Sequence, residues 1–293
     1  MGHIQSKHFT MSDGVSIHAI ITKNEILPKR ETLLCLSGFG CSHYNFIELA
    51  KDLGEDYQMV LIDNRGMGAS ADSRSDYSLE TIADDALEVM DQMGIDDFHL
   101  AGISMGGFIA QLLTLKNPER VRSLSLLCTT SGGEHFVPLP KLTEEGLIQF
   151  YQLSEPRRTE IAIEATVYPA LKESNFGRFS SICKLRRDHP VRVDQVLRQK
   201  RAVDKFLDQE LALSEIKCPT FILTGDSDRF VSPVNAKKLH AKIQGSQLFT
   251  IEKTDHLFFL ERPRRVAEIL GSCLHELNPV NDSFDTQKTG ALL

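Results

Sequence analysis

The sequence predicts an α/β fold in which a mostly parallel central sheet is flanked by helices and carries a helical cap insertion. Short apolar runs alternate with helix-like segments through the first 130 residues and again beyond residue 214. Buried strands separated by helices make a parallel sheet covered on both faces. Residues 132–213 break this alternation, with helical patterns and no clear buried strand. At 293 residues the chain is long enough for one large domain carrying an insertion.

Two β-rich stretches, residues 3–10 and 15–22, flank Ser12-Asp13-Gly14 and predict an opening hairpin with an Asp-Gly turn. Residues 32–36 form a short strand ending at Ser37-Gly38-Phe39-Gly40, and a helix follows over residues 45–53. The next strand, residues 58–62, ends at Asp63-Asn64-Arg65-Gly66-Met67-Gly68. Ser78 caps a helix that runs to about Met93 and gathers Ile82, Ala86, Val89, Met90 and Met93 on one face. Residues 98–103, 121–128, 221–224 and 248–251 supply further strands. The core is therefore assigned to residues 1–131 and 214–277, the cap to 132–213 and a loose polar tail to 278–293.

Composition narrows the class. With 41% hydrophobic and 25% charged residues the chain is ordinary globular protein, which argues against disorder, collagen and coiled coil. A net charge of −7 argues against broad nucleic-acid binding, which needs many cationic phosphate contacts. Six cysteines without a C-x-x-C pair argue against a disulfide scaffold or zinc ribbon. No basic segment precedes an apolar run at the start, so a cytoplasmic location is expected. Residues 98–115 carry no Asp, Glu, Lys or Arg, but Gly102, Gly106 and Gly107 mark a strand, a turn and a helix rather than a membrane span. The opening Met1-Gly2-His3-Ile4-Gln5-Ser6 fits the six-residue N-myristoylation pattern.

Chemistry concentrates at Gly102-Ile103-Ser104-Met105-Gly106, a G-x-S-x-G directly after a strand and directly before a helix. A serine at such a turn adopts a strained backbone, and small residues on either side relieve the crowding. The turn exposes Oγ while the helix N-terminus aims amides at any oxyanion formed beside it. Serine needs a base oriented by a third group. Downstream, the strand 221–224 runs into Gly225-Asp226-Ser227-Asp228 and the strand 248–251 into Asp255-His256, on the same sheet edge and in the order serine, acid, histidine. A rival dinucleotide pattern, Gly66-Met67-Gly68-Ala69-Ser70-Ala71 with Asp84 or Asp85 as ribose contact, fails because residues 72–76 read as loop where a helix must open.

With these motifs in order, the chain resembles an α/β-hydrolase over almost its whole length. Gly225-Asp226-Ser227-Asp228 resembles the family's Gly-x-x-Asp, His256 to Pro263 its His-x-x-x-x-E-x-P element, and Asp63 to Ser70 its D-x-R-G-x-G-x-S element. The resemblance implies a catalytic Ser104, Asp228 and His256, with Asp228 preferred to Asp226, and an oxyanion hole from the backbone N–H groups of Phe39 and Met105. It requires no cofactor and no metal. Two departures stand out: Ser37-Gly38 replaces the usual His-Gly, and Asp255 replaces the usual glycine before the histidine. Asp255 either raises the pKa of His256 or faces solvent.

The implied activity is a serine hydrolase cleaving carboxylic ester or thioester bonds through an acyl-enzyme. Lactonase, C–C hydrolase, iminopeptidase and acyltransferase chemistry stay open as alternatives, as does a non-catalytic small-ligand receptor. Phe136, Phe230 and Phe258 adjoin the site in sequence as candidate pocket residues. Residues 178–205 hold nine Lys or Arg and three Asp, a local charge of +6 against −13 elsewhere. Within it, Arg186 and Arg187 are candidate contacts for an anionic or carrier-bound acyl substrate. No nucleic-acid partner and no integral membrane segment are expected.

Overall fold

A computed structural model describes residues 3–23 and 31–277. Gly2 and the tail from residue 278 therefore lie outside the described residues. The strands are β1 (His3–Thr10), β2 (Ser16–Lys23), β3 (Thr32–Leu36), β4 (Gln58–Ile62), β5 (Phe98–Ile103), β6 (Val121–Leu127), β7 (Thr220–Gly225) and β8 (Gln247–Ile251). They form one sheet in the order β1-β2-β4-β3-β5-β6-β7-β8. The hairpin β1–β2 and the pair β2–β4 are antiparallel, and every later pairing is parallel. Parallel strands all end on one edge, so the loops after β3, β5, β7 and β8 converge there.

Helices α1 (Ile47–Leu53), α2 (Leu79–Gln92) and α3 (Met105–Lys116) follow β3, β4 and β5. A 3-10 turn, His43–Asn45, precedes α1, so the helix expected over 45–53 begins two residues later. Between β6 and β7 come α4 (Glu144–Gln152), α5 (Glu155–Glu164), α6 (Leu171–Ser174), α7 (Phe176–Arg187) and α8 (Val193–Leu207). The chain finishes with α9 (Pro233–Lys242), α10 (Phe258–Glu261) and α11 (Pro263–Leu277).

Strands β3 and β5 are buried at every position because helices cover both faces. Leu34, Leu36, Val60 and Leu100 face α2 and α3 in one core layer; Leu33, Cys35, Leu61 and Ala101 face α1 and α11 in the other. Alternating residues thus go to opposite faces, as the pleat requires. Ser78 caps α2 as expected, accepting from the Thr81 N–H while the Thr81 side chain returns to the Ser78 N–H. Among the described residues no helix is long and apolar enough to cross a membrane.

Candidate active site

Ser104 sits between β5 and α3 with φ 54° and ψ −117°, a backbone region that costs a non-glycine residue about 1–3 kcal/mol. Local bonds hold it there: its N–H donates to Leu127 O at 2.8 Å, and its carbonyl accepts from Gly107 N at 2.8 Å and Thr129 Oγ1 at 2.7 Å. A Cβ on Gly102 would strike the Gly106 carbonyl, and one on Gly106 would strike the Leu36 carbonyl. The glycines are therefore imposed by the tight strand-turn-helix packing.

The loops after β7 and β8 bring the other two groups to this point. Ser104 Oγ lies 3.1 Å from His256 Nε2, and His256 Nδ1 lies 3.0 Å from Asp228 Oδ2. Asp228 Oδ1 accepts the N–H groups of Phe230 and Val231 at 2.9 and 2.7 Å, which leaves Oδ2 for the imidazole. Asp226 is exposed and accepts from Lys253 N and Thr254 N instead. All three members of the relay are buried yet reach a cavity through Ser104 and His256.

The loop after β3 lies alongside: a Cβ on Gly38 would be 3.4 Å from Ser104 Cβ. Gly38 N donates to Asn45 Oδ1 at 3.1 Å, Ser37 Oγ to Ser42 O at 2.8 Å and Gly40 N to Gln199 Oε1 at 2.6 Å. Ser37, in place of the usual histidine, thus closes the loop on itself. Phe39 and Met105 both line cavities beside Ser104. Asn45 and Gln199 had no local signal in the sequence; Gln199 acts across 159 positions.

Two cavities meet at Ser104. The smaller, about 150 Å³, is lined by Phe39, Cys41, Tyr44, Arg186, Phe230 and Phe259, among others. Its polar end is Arg186, whose Nη1 donates to Tyr44 OH at 3.0 Å and Cys41 Sγ at 3.1 Å. Among the described residues no carboxylate pairs with this guanidinium. Burial pushes the Tyr44 phenol up, so it stays a neutral hydroxyl that accepts from the Arg186 guanidinium. The larger cavity, about 540 Å³, is mostly apolar and includes Met105, Phe108, Phe136, Leu139, Leu142 and Leu207. Phe39, Ser104 and Phe230 belong to both.

Two sequence-based expectations are corrected. Phe258 lines neither cavity: it is fully buried in the core layer shared with α11, and the small-cavity wall is made by Phe259 and Leu260, turned about 100° per residue along α10. Arg187 is exposed and lines neither cavity, because it follows Arg186 around α7 by the same rotation. The basic stretch is also less available than its charge suggests. Arg178, Lys184, Arg192, Arg198, Lys200 and Arg201 are engaged with carboxylates.

The D-x-R-G-x-G-x-S element shapes the edge of the site. Asp63 is buried; Oδ2 lies 2.7 Å from His18 Nδ1 and accepts from Ala69 N at 3.0 Å. Its Oδ1 accepts from His43 N at 2.6 Å and lies 2.9 Å from His43 Nδ1. Burial alone would raise this carboxyl, but the His18 and His43 hydrogen bonds win and hold it well below the ordinary range. His18, His43 and Asp63 offer ligand atoms within 4.8 Å of one another, the metal-compatible cluster of the described residues. Both Asp63 oxygens are already occupied by N–H donors, which makes the cluster a hydrogen-bonded clamp. Asp85, the rival ribose contact, is instead buried against Arg65 at 2.6 Å.

A strand-to-helix serine facing a histidine and an acid, on a parallel sheet with helices between β6 and β7, defines the hydrolase class. Residues 31–263 match the family described as alpha/beta hydrolase fold, and the chain belongs to it. A 2-hydroxy-6-oxononadienedioate/2-hydroxy-6-oxononatrienedioate hydrolase of Klebsiella pneumoniae is 31% identical over 240 residues, covering 78% of this chain and 81% of the relative. Among solved structures, a thermophilic esterase from Thermogutta terrifontis matches with TM-score 0.78 at 20% identity, covering 93% of this chain and 99% of that one. An enol-lactonase from Burkholderia xenovorans LB400 matches with TM-score 0.78 at 17% identity, covering 92% and 99%. At these identities the two structures speak for the fold alone.

Proposed function

We propose that this α/β hydrolase is a serine hydrolase that cleaves a carboxylic ester or thioester through an acyl-enzyme on Ser104. The observation that carries the reading is the continuous relay from Ser104 Oγ to His256 at 3.1 Å and on to Asp228 at 3.0 Å. His256 takes the serine proton as Oγ attacks the carbonyl, Asp228 fixes the Nδ1–H tautomer, and the Phe39 and Met105 amides receive the oxyanion. His256 then protonates the leaving group and activates the water that releases the acyl group. Each oxyanion donor supplies about 3 kcal/mol of transition-state stabilisation.

The two cavities support a substrate with an anionic end and an apolar arm. A carboxylate seated on Arg186 and Tyr44 would place the scissile carbonyl at Ser104 and the apolar arm among Phe136, Leu139 and Leu207. A second reading, hydrolysis of a carbon–carbon bond beside a ketone, is favoured by the same Arg186 together with the Klebsiella relative, whose name specifies a dioate substrate. The experiment is a panel of neutral p-nitrophenyl esters, carboxylate-bearing esters, acyl thioesters, lactones and vinylogous 1,5-diketo acids, each run with the Ser104→Ala control. Ser104-dependent turnover of an ester or thioester supports the first reading; turnover confined to the diketo acids supports the second. Absence of Ser104-dependent turnover on every class defeats both and points to a ligand receptor.

A further inference from the structure

Asp255, the departure next to His256, faces neither the imidazole nor solvent. It is fully buried and turned toward the loop that carries Asp228. Its Oδ1 accepts from Arg229 N and from His256 N, both at 2.8 Å, and its Oδ2 accepts from Arg229 Nε. Arg229 is the residue directly after Asp228, so one ion pair joins the immediate neighbours of the relay's acid and base. The remaining arm of the guanidinium, Nη2, donates to Glu164 O at 2.9 Å and Val167 O at 2.8 Å, at the end of α5. Two further bonds stitch the same segments: Leu257 N to Thr166 O at 2.9 Å, and Tyr168 N to Glu261 Oε2 at 3.0 Å. Ile163 and Thr166 from that stretch, with Leu257, form part of the small-cavity wall.

We propose that Asp255 and Arg229 are a positioning pair that holds the Asp228 loop and the His256 loop in register and fastens both to the wall of the small cavity. The proposal rests on the reading of Asp228 and His256 as acid and base. The reason is geometric. These loops leave neighbouring strands β7 and β8; Asp226 N to Ile251 O, Ser227 N to Thr254 O and the Lys253 and Thr254 amides to Asp226 tie their first residues together, and the Asp255–Arg229 pair is the further link at the level of Asp228 and His256. A glycine at position 255 has no side chain with which to bridge them. The carboxylate does so through backbone and side-chain N–H groups at once, which sets the height of the imidazole over Ser104 as well as its distance from Asp228. The guanidinium's planar fork suits a carboxylate on one side and two carbonyls on the other, a geometry that a lysine ammonium cannot copy.

The test compares wild type with Asp255→Asn, Arg229→Lys, Arg229→Gln and the double variant Asp255→Asn/Arg229→Gln. Three readouts are used: kcat and KM on the Ser104-dependent substrate, thermal melting, and the low-field proton NMR signal of the His256 Nδ1–H held by Asp228. Expected are a kcat loss of roughly tenfold to a hundredfold with KM little changed, and a shifted or broadened low-field signal. The double variant should be no worse than the worse single one, as coupled groups behave. Arg229→Lys should keep the ion pair and most of the melting temperature while still losing kcat, which a merely stabilising contact would not do. Unchanged kcat and an unchanged low-field signal in folded Asp255→Asn overturn the proposal. If that variant fails to fold, the same outcome in Arg229→Lys, at a side chain 47% exposed, overturns it. If wild type shows no Ser104-dependent turnover, the hydrolase reading fails, and the NMR signal alone decides whether the pair positions His256.

Discussion

Gln199 of α8 accepts the backbone N–H of Gly40 at 2.6 Å, so a helix inserted between β6 and β7 fixes the loop that follows β3. Gly40 stands one residue beyond Phe39, whose amide serves the oxyanion in the proposed mechanism. Gly40 has φ 59°, which glycine adopts freely, and its bond to a fully buried glutamine holds that turn. Replacing Gln199 by leucine leaves a buried donor unsatisfied at a cost of about 1–3 kcal/mol. The expected result is roughly a tenfold lower kcat on a Ser104-dependent ester, with a lower melting temperature. Steady-state kinetics and a thermal melt read both.

Arg186 and Arg187 separate charge in the cavity from charge on the surface. Arg186→Gln should reduce kcat/KM on a carboxylate-bearing substrate by roughly tenfold to a hundredfold, the worth of a charge-assisted hydrogen bond of about 1.5–3 kcal/mol. Its effect on a neutral short-chain ester should be small. Arg187→Gln should change neither, because the side chain is exposed and away from both cavities. The ratio of kcat/KM values on paired anionic and neutral esters checks the prediction, and an equal loss on both would refute it.

Glu261 makes stability depend on pH in an unusual direction. Burial pushes its carboxyl up to about 7, even though it accepts N–H groups from Asp255 and Tyr168. The unfolded chain releases this proton near 4.5, so between about 4.5 and 7 the folded state binds more protons and loses stability as pH rises. A shift of this size corresponds to about 3 kcal/mol. Urea midpoints at pH 5 and pH 7.5 should therefore fall in wild type more than in Glu261→Gln, whose amide does not titrate. Equal slopes in the two proteins would contradict this.

Gly106→Ala should abolish soluble folded protein, because the added methyl overlaps the Leu36 carbonyl in the middle of the sheet edge. Gly94→Ala offers a contrast: a Cβ there meets nothing within 4 Å, and only its φ of 68° is unfavourable. That substitution should lower the melting temperature modestly, with an expected cost of about 1–2 kcal/mol. Expression yield and circular dichroism distinguish the two cases.

Steric necessity is what made Ser104 legible: an elbow this tight forces glycines at 102 and 106, and they show in the sequence. The strands were equally plain, since β3, β5 and β7 are short, mostly apolar runs that the sheet buries at every position. Asp226 and Asp228 are not separated by local pattern, and only family resemblance chose between them; the structure gives Asp226 to the Lys253 and Thr254 amides. Phe259 lines the cavity in place of Phe258 because the direction of a four-residue helix depends on the turn before it, which no periodicity reveals. Gln199, Asn45 and the Asp255–Arg229 pair act through contacts distant in sequence or across loops, where the residue type carries no signal of its partner.

The helices over the sheet edge are bolted down at several points, those of Gln195 and Gln199 buried. Gln195 bonds both Ser73 N and Ser73 O, Gln199 bonds Gly40, Asn235 bonds both Val137 N and Val137 O, and Arg229 holds the end of α5. Swinging α8 and its neighbours outward would break these bonds together, at about 1 kcal/mol each before any apolar surface is wetted. Turning a rim side chain off its rotamer costs only about 0.5–1.5 kcal/mol. Leu142, partly exposed at the wall of the larger cavity, is such a side chain. Traffic to Ser104 is thus cheapest by a side-chain gate in a fixed wall, and the rate of exchange becomes a property of the rim rather than of a hinge.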